Sequence, residues 1–206
     1  VWLARANFNR QSLRSLLGRE GGIDRPHVYL MQPYDPNRRI IVMLHGLASS
    51  PEAWVELANE ILGDEALRQH YQIWQVYYPT NMPVALNHAM IRRALGETLT
   101  HFDPSGQAPA SSDLVLVGHS MGGVIARLMV SSTDQSLVQL AADHSRLTPQ
   151  QIRRIDPMLR FEPFPNVSSA IFIAAPHRGT SVAGGRLGRW MAGFIRFPIT
   201  VLEELA

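Results

Sequence analysis

The residues with the clearest chemical potential form the segment GHSMGG at positions 118–123. Ser120 carries a hydroxyl that can attack a carbonyl carbon once a base removes its proton. Gly118 and Gly122 stand two positions before and two positions after it, where the backbones of a tight strand-to-helix turn crowd each other. Such a turn holds the serine in a strained conformation and directs helix N–H groups at developing negative charge. The segment predicts a catalytic nucleophile at Ser120.

The elements on either side of this segment decide how specific it is. A lone G-x-S-x-G is a weak signal, because serine and glycine are common residues. Here the apolar run LVLV at residues 114–117 directly precedes it, and residues 121–130 have helical spacing. This is the strand–turn–helix context that a nucleophilic serine requires, and Gly123 adds to it. The context favours that interpretation over an ordinary turn.

Two further motifs each follow a predicted strand: LHGL at residues 44–47 and AAPHRGT at residues 174–180. With GHSMGG, they make the sequence resemble the α/β-hydrolase superfamily, and within it the bacterial lipase- and esterase-like serine hydrolases. The resemblance covers about residues 40–183, although Thr180 replaces the serine of the usual PHRGS turn. It implies an acyl-enzyme at Ser120, with the backbone amides of Leu47 and Met121 forming the oxyanion hole.

The other two members of a catalytic triad are harder to assign. His45 is interpreted as a residue that fixes its loop by hydrogen bonds. His177 is interpreted as shaping a loop, because in the family the catalytic base follows the last strand. After Thr180 the chain has no Asp and no His, and its acids there are Glu203 and Glu204. We therefore expect the acid and the base to lie outside the printed residues, so that the domain is incomplete at its C-terminus.

Three functions remain open at this stage. The first is cleavage of carboxylic esters by a lipase- or esterase-like enzyme through an acyl-enzyme at Ser120. The second is a catalytically inactive binding or scaffold module that kept the turn and lost the triad. The third is another acyl transfer at the same serine, by a thioesterase, an amidase or an acyltransferase.

The elements that must position these motifs follow from hydrophobic spacing. Apolar or β-rich runs alternate with helical patterns, which indicates βαβ units and a mostly parallel sheet with helices on both faces. We expect one α/β-hydrolase domain over residues 1–206, with its sheet truncated after the family's sixth strand. Residues 131–167 contain no strand and predict an insert, either a cap over a cleft or a surface excursion. The predicted strands are 27–31, 40–44, 72–78, 114–117 and 170–174, and the predicted helices are 3–17, 51–63, 84–99, 121–130 and 188–197.

The amino-acid composition limits the classes of molecule that this protein could bind. The 19 basic residues are all arginine and scattered, and the net charge is +2, which argues against nucleic acid. No apolar run reaches the length of about 18 residues that a membrane helix needs. Cysteine is absent, the histidines lack metal-binding spacing and no phosphate loop occurs, so neither a metal nor a cofactor is expected.

The expected partner is a small-molecule or lipid ester, with transient contact to a lipid surface. The lysine deficit suggests a bacterial gene, and the cytoplasm and the cell envelope both remain open.

Overall fold

The computed structural model describes residues 25–133 and 148–177. Within these residues, five strands form one sheet in the order β1-β3-β2-β4-β5. Each interior strand is a short run of mostly apolar, often β-branched residues, which suits a strand covered on both faces. The strands are β1 (His27–Leu30), β2 (Arg39–Leu44), β3 (Tyr71–Tyr77), β4 (Leu114–His119) and β5 (Val167–Ile173).

The strand directions confirm the predicted mostly parallel sheet. Only β1 is antiparallel to its neighbour β3, while the β2–β3, β2–β4 and β4–β5 pairs are all parallel. The carboxyl ends of β2, β3 and β4 therefore meet at one edge of the sheet. In open parallel sheets, ligands bind beyond this edge.

Helices cover both faces of the sheet, as predicted. A 3-10 helix, Pro51–Trp54, leads into the first α-helix. The α-helices are α1 (Val55–Gly63), α2 (Glu65–His70), α3 (Val84–Phe102), α4 (Pro109–Ser112), α5 (Met121–Met129) and α6 (Pro149–Leu159). The predicted helices at 3–17 and 188–197 lie outside the described residues, as does the section of the insert from 134 to 147.

The core consists of two clusters, one on each face of the sheet. On one face, α3 and α5 pack against β2, β3 and β4 through side chains such as Ile91, Ile125 and Leu116. On the other face, the 3-10 helix and α1 contribute Trp54, Ala58 and Ile61. Full burial of each large aliphatic side chain contributes roughly 1.5–3 kcal/mol. This packing fixes the ends of β2, β3 and β4 relative to one another.

Two elements differ from the sequence prediction. The strand predicted at 170–174 as buried is β5, and it is largely exposed, with Ile171 at 51% and Ile173 at 38%. The reason is its place at the edge of the described sheet, where it pairs with β4 alone. Helix α2 was not predicted, because it buries no residue and has no apolar pattern. Asp64 caps its N-terminus, because Asp64 Oδ1 accepts a bond of 2.9 Å from the Leu67 amide.

Candidate active site

Ser120 lies between β4 and α5 in a backbone conformation that a residue with a side chain rarely adopts. Its φ is 53° and its ψ is −118°, a combination that costs on the order of 1–3 kcal/mol and persists only where the surroundings enforce it. The surroundings do so on both sides. The Ser120 amide donates to the Ile173 carbonyl at 2.9 Å, and the Ser120 carbonyl accepts from the Gly123 amide at 3.0 Å. The turn is therefore fixed by β5 and by the first turn of α5.

The glycines around Ser120 allow the strand and the helix to approach each other. A Cβ on Gly118 would lie 2.6 Å from the carbonyl carbon of Gly122 and from Gly123 Cα. A Cβ on Gly122 would lie 2.5 Å from the His45 carbonyl oxygen. Real Cβ atoms essentially never show such contacts. The start of α5 is thus packed directly against the end of β2.

The first amides of α5 differ in whether the turn at Ser120 satisfies them. The first four N–H groups of a helix lack intrahelical partners by geometry. In α5 the turn itself satisfies the later amides, since Gly123 and Val124 both donate to the Ser120 carbonyl. The Met121 amide comes first, directly after Ser120, at the positive end of the helix dipole. Ser120 and Met121 are both half-buried.

The loop after β2 lies against the Ser120 turn. A Cβ on Gly46 would stand 3.2 Å from Ser120 Cβ and 3.1 Å from His119 Nδ1. The next residue, Leu47, is half-buried, and Ala48 has a positive φ of 52°. The structure therefore brings the backbone of Gly46 against the Ser120 turn at the carboxyl edge of the sheet, with Leu47 and Met121 as the next residues of the two segments.

His45 is a buried, neutral residue that holds this loop. It is fully buried, and burial lowers its pKa to about 4. Its Nδ1 lies 2.9 Å from the Gly46 carbonyl oxygen, which makes Nδ1 the donor, and its Nε2 accepts a bond from the Tyr78 amide at 3.4 Å. The ring stacks on Tyr78 with 4.3 Å between centroids. These contacts match the loop-fixing interpretation of His45.

The histidines nearest to the turn do not reach the serine. Within residues 25–133 and 148–177, no imidazole nitrogen is hydrogen-bonded to the Ser120 hydroxyl. His119 and His177 are both exposed. The His177 ring meets Phe172 edge-on, with 4.9 Å between centroids. Arg178 and the acids Glu203 and Glu204 lie outside the described residues.

Two features of this region were not found from the sequence. Thr80, which is 2% exposed, accepts a hydrogen bond of 3.2 Å from the Ala48 amide through its hydroxyl. Further along, His88 on α3 is fully buried, and within the described part of the chain neither of its ring nitrogens has a hydrogen-bond partner. Its ring packs on Phe161 at 4.3 Å, and burial together with the nearby Arg92 lowers its pKa to about 4. The motif Tyr-Pro-Thr at residues 78–80 was the sequence signal available for the contact of Thr80 with the loop. No sequence pattern indicated the burial of His88.

The described part of the chain contains neither a candidate metal cluster nor a helix that could span a membrane. Its His, Asp and Glu residues form no cluster of three or more that could hold a metal ion. None of its helices combines the length and the apolar character needed to cross a bilayer.

Comparison with known proteins identifies the family. A family model described as "Putative serine esterase (DUF676)" matches residues 35–191. The chain belongs to this family. The match spans β2 through β5 and includes the 45–48 loop and the Ser120 turn. The resemblance to serine esterases and the mostly parallel sheet with helices on both faces, both predicted from the sequence, are confirmed. Among curated protein sequences, none matches this chain.

Solved structures of esterases and lipases are similar to the chain at low sequence identity. The mature lipase BlEst2 of Bacillus licheniformis is 20% identical, with a TM-score of 0.47, over 82% of this chain and 56% of that one. Esterase EaEST of Exiguobacterium antarcticum is 17% identical, with a TM-score of 0.39, over 74% and 42%. Esterase 2 of Thermogutta terrifontis, phosphonylated by sarin, is 12% identical, with a TM-score of 0.48, over 86% and 60%. The chain therefore spans less than two thirds of the length of each.

Proposed function

We propose that this protein hydrolyses carboxylic esters through a covalent acyl-enzyme at Ser120. The observation that carries the proposal is the backbone of Ser120, held at φ 53° and ψ −118° between a buried strand and a helix. A fold retains strain of this kind only where the surrounding structure enforces it, and such residues cluster at active sites. Membership of the serine esterase family supports the same chemistry.

The proposed reaction has two half-reactions. An imidazole base takes the proton of the Ser120 hydroxyl, and Oγ attacks the carbonyl carbon of the ester. The carbonyl oxygen becomes negative and receives hydrogen bonds from the Leu47 and Met121 amides. Collapse of this intermediate returns the proton to the alcohol and breaks the ester bond, leaving the acyl group on Oγ. Water, deprotonated by the same base, then hydrolyses the acyl-enzyme and regenerates the serine.

The residues of this chain give the two amides a defined place. Met121 N–H lies at the first turn of α5, where the helix dipole favours negative charge. Leu47 N–H belongs to a loop whose neighbour Gly46 lies directly against Ser120. Loss of one such donor typically lowers kcat by about 100- to 1,000-fold. The proposed substrate is a small-molecule or lipid ester, and contact with a lipid surface belongs to the same proposal.

A fluorophosphonate probe applied to the full-length protein tests the assignment. We expect one equivalent of label on the peptide that contains Ser120, and hydrolysis of p-nitrophenyl esters of graded chain length. Ser120→Ala should abolish the label and lower kcat by at least about 10⁴-fold. Ser112→Ala, at an exposed serine on α4, is the matched control and should leave both unchanged.

The other outcomes separate the alternatives. A correctly folded protein without label at Ser120 would overturn the proposal in favour of an inactive binding or scaffold module. Label without ester turnover, but with turnover of thioesters, amides or an acyl acceptor, would replace the ester by that substrate class.

A further inference from the structure

We propose that Thr80 is a positioning residue for ester hydrolysis, because its buried hydroxyl fixes the backbone of the 45–48 loop and with it the Leu47 amide. This inference rests on the proposed function, since it concerns the geometry of the same oxyanion site. Thr80 does not touch the reacting atoms. It acts through Ala48, whose amide donates to Thr80 Oγ1 at 3.2 Å.

The loop needs such a contact because its conformation is strained. Ala48 has a φ of 52°, in the left-handed region that favours glycine. A non-glycine residue stays there only when other contacts enforce it. Among the described residues, the bond to Thr80 is the hydrogen bond that holds the Ala48 amide. Without this bond, Ala48 can relax towards an ordinary backbone conformation and turn the preceding peptide with it.

The segment 78–80 holds the loop on both sides of Leu47. Before Leu47, the Tyr78 hydroxyl donates to the His45 carbonyl, and the Tyr78 amide donates to His45 Nε2. After Leu47, Thr80 accepts from Ala48. The Leu47 amide is therefore placed by a segment about 30 residues away in sequence, since Ala48 and Thr80 are separated by 32 residues.

Segment 78–80 is itself fixed by its surroundings. Tyr78 and Thr80 are at most 2% exposed, so water does not compete for their hydroxyls. Between them, the Pro79 carbonyl accepts a bond of 2.8 Å from the side chain of Asn87, a fully buried residue of α3. Strand β3 holds the segment from the other direction. A rigid support of this kind suits a residue that must place an amide to within a fraction of an ångström.

The consequence for the reaction follows from the contact between the loop and Ser120. Gly46 packs against Ser120, so the position of the loop sets the distance from the Leu47 amide to the reacting carbonyl. Misplacement by about 1 Å can cost about 100-fold in rate. Since the amide binds the oxyanion more strongly than the ground-state carbonyl, the loss should appear in kcat rather than in KM.

Two substitutions at Thr80 in the full-length protein test this inference. Thr80→Val keeps the shape and removes the acceptor, and it should lower kcat by about 10- to 100-fold with KM within about threefold. Thr80→Ser keeps the hydroxyl and should restore kcat to within about threefold of the unmodified protein. Thr98→Val is the matched control, because the Thr98 hydroxyl donates to the Ala94 carbonyl of its own helix, α3, at 2.7 Å. It should leave kcat unchanged.

A second measurement does not depend on activity. Amide hydrogen exchange of a peptide covering the 45–48 loop should become faster in Thr80→Val and stay slow in Thr80→Ser and Thr98→Val. Unchanged exchange in Thr80→Val would overturn the inference, as would unchanged kcat or equal losses in Thr80→Val and Thr80→Ser. Complete fluorophosphonate labelling of Ser120 alongside such a result would show that the proposed function stands and only the role of Thr80 fails. Faster exchange in a protein that takes no label would reject the proposed function, and the catalytic role of Thr80 with it.

Discussion

Gly118 and Gly122 are the most tightly packed residues of the turn around Ser120. Gly118→Ala places a methyl group 2.6 Å from the backbone of Gly122 and Gly123, where no flexible side chain can give way. We expect the substitution to lower the free energy of unfolding by about 1–3 kcal/mol, the usual cost of overpacking. The midpoint of urea unfolding of the full-length protein measures this change.

Gly96→Ala is the control for the glycine substitution. Gly96 lies within α3, and a Cβ there would meet no atom within 4 Å. Alanine is favoured over glycine in a helix interior by up to about 1 kcal/mol, so this variant should be more stable. If Gly118→Ala were tolerated as well as Gly96→Ala, the close approach of β4 and α5 would be contradicted.

At the residue scale, sequence predictability depends on how far apart the interacting residues lie along the chain. The turn at Ser120 could be predicted because its determinants, the glycines and the flanking apolar run, lie within a few residues of it. The bond from Ala48 to Thr80 could not, since it joins residues 32 positions apart and depends on β2 and β3 being neighbours. The burial of His88 could not be predicted from the sequence for a related reason. A histidine in a helix does not reveal that Phe161 will cover it.

At the scale of elements, the strands differ in how much their side chains contribute to the free energy of unfolding. Ile73 on β3 is fully buried, whereas Ile171 on β5 is 51% exposed. Ile73→Thr removes apolar contact and buries a hydroxyl, so it should cost about 2–4 kcal/mol of unfolding free energy. Ile171→Thr should change stability by less than about 0.5 kcal/mol, because threonine suits an exposed strand position.

Thermal unfolding of the two isoleucine variants checks this difference. Each substitution replaces the same residue by the same residue, so the comparison isolates burial. A large loss for Ile171→Thr would mean that β5 is covered by residues outside 25–133 and 148–177. A small loss for Ile73→Thr would contradict the burial of β3.

The elements themselves were largely predictable, and their environments were not. Apolar runs located β2, β3 and β4 within one or two residues, because strands buried on both faces need a continuous run of apolar side chains. The same reasoning made β5 a buried strand, since composition cannot tell which strand lies at the edge. Helix α2 was missed because an exposed helix has no apolar stripe, and its start depends on the capping bond to Asp64.

At the scale of the whole molecule, two neutral histidines link stability to pH. His45 and His88 are fully buried in different elements, and burial lowers the pKa of each to about 4. In the unfolded chain each titrates near its ordinary value of 6.5. Between these values the unfolded state binds protons that the folded state excludes, so stability falls as the pH falls. The contribution of each histidine to the free energy of unfolding is therefore complete above about pH 6.5 and lost by about pH 4. The difference between these two limits is up to about 3 kcal/mol for each histidine.

Removal of one of these histidines should remove its share of the acid sensitivity. His88 is the suitable choice, because its ring nitrogens have no hydrogen-bond partner among residues 25–133 and 148–177, and Arg92 further disfavours its protonation. His88→Leu leaves no hydrogen-bond partner unsatisfied, so stability at pH 7 should change little or increase. Urea unfolding at a series of pH values from 7 to 4 should then give a slope about half that of the unmodified protein. Thr98→Val, which replaces a residue of the same helix that does not titrate, should leave the slope unchanged. If the slope also persisted in His88→Leu, the acid sensitivity would belong to other groups, and His88 would not be a neutral residue enclosed between α3 and Phe161.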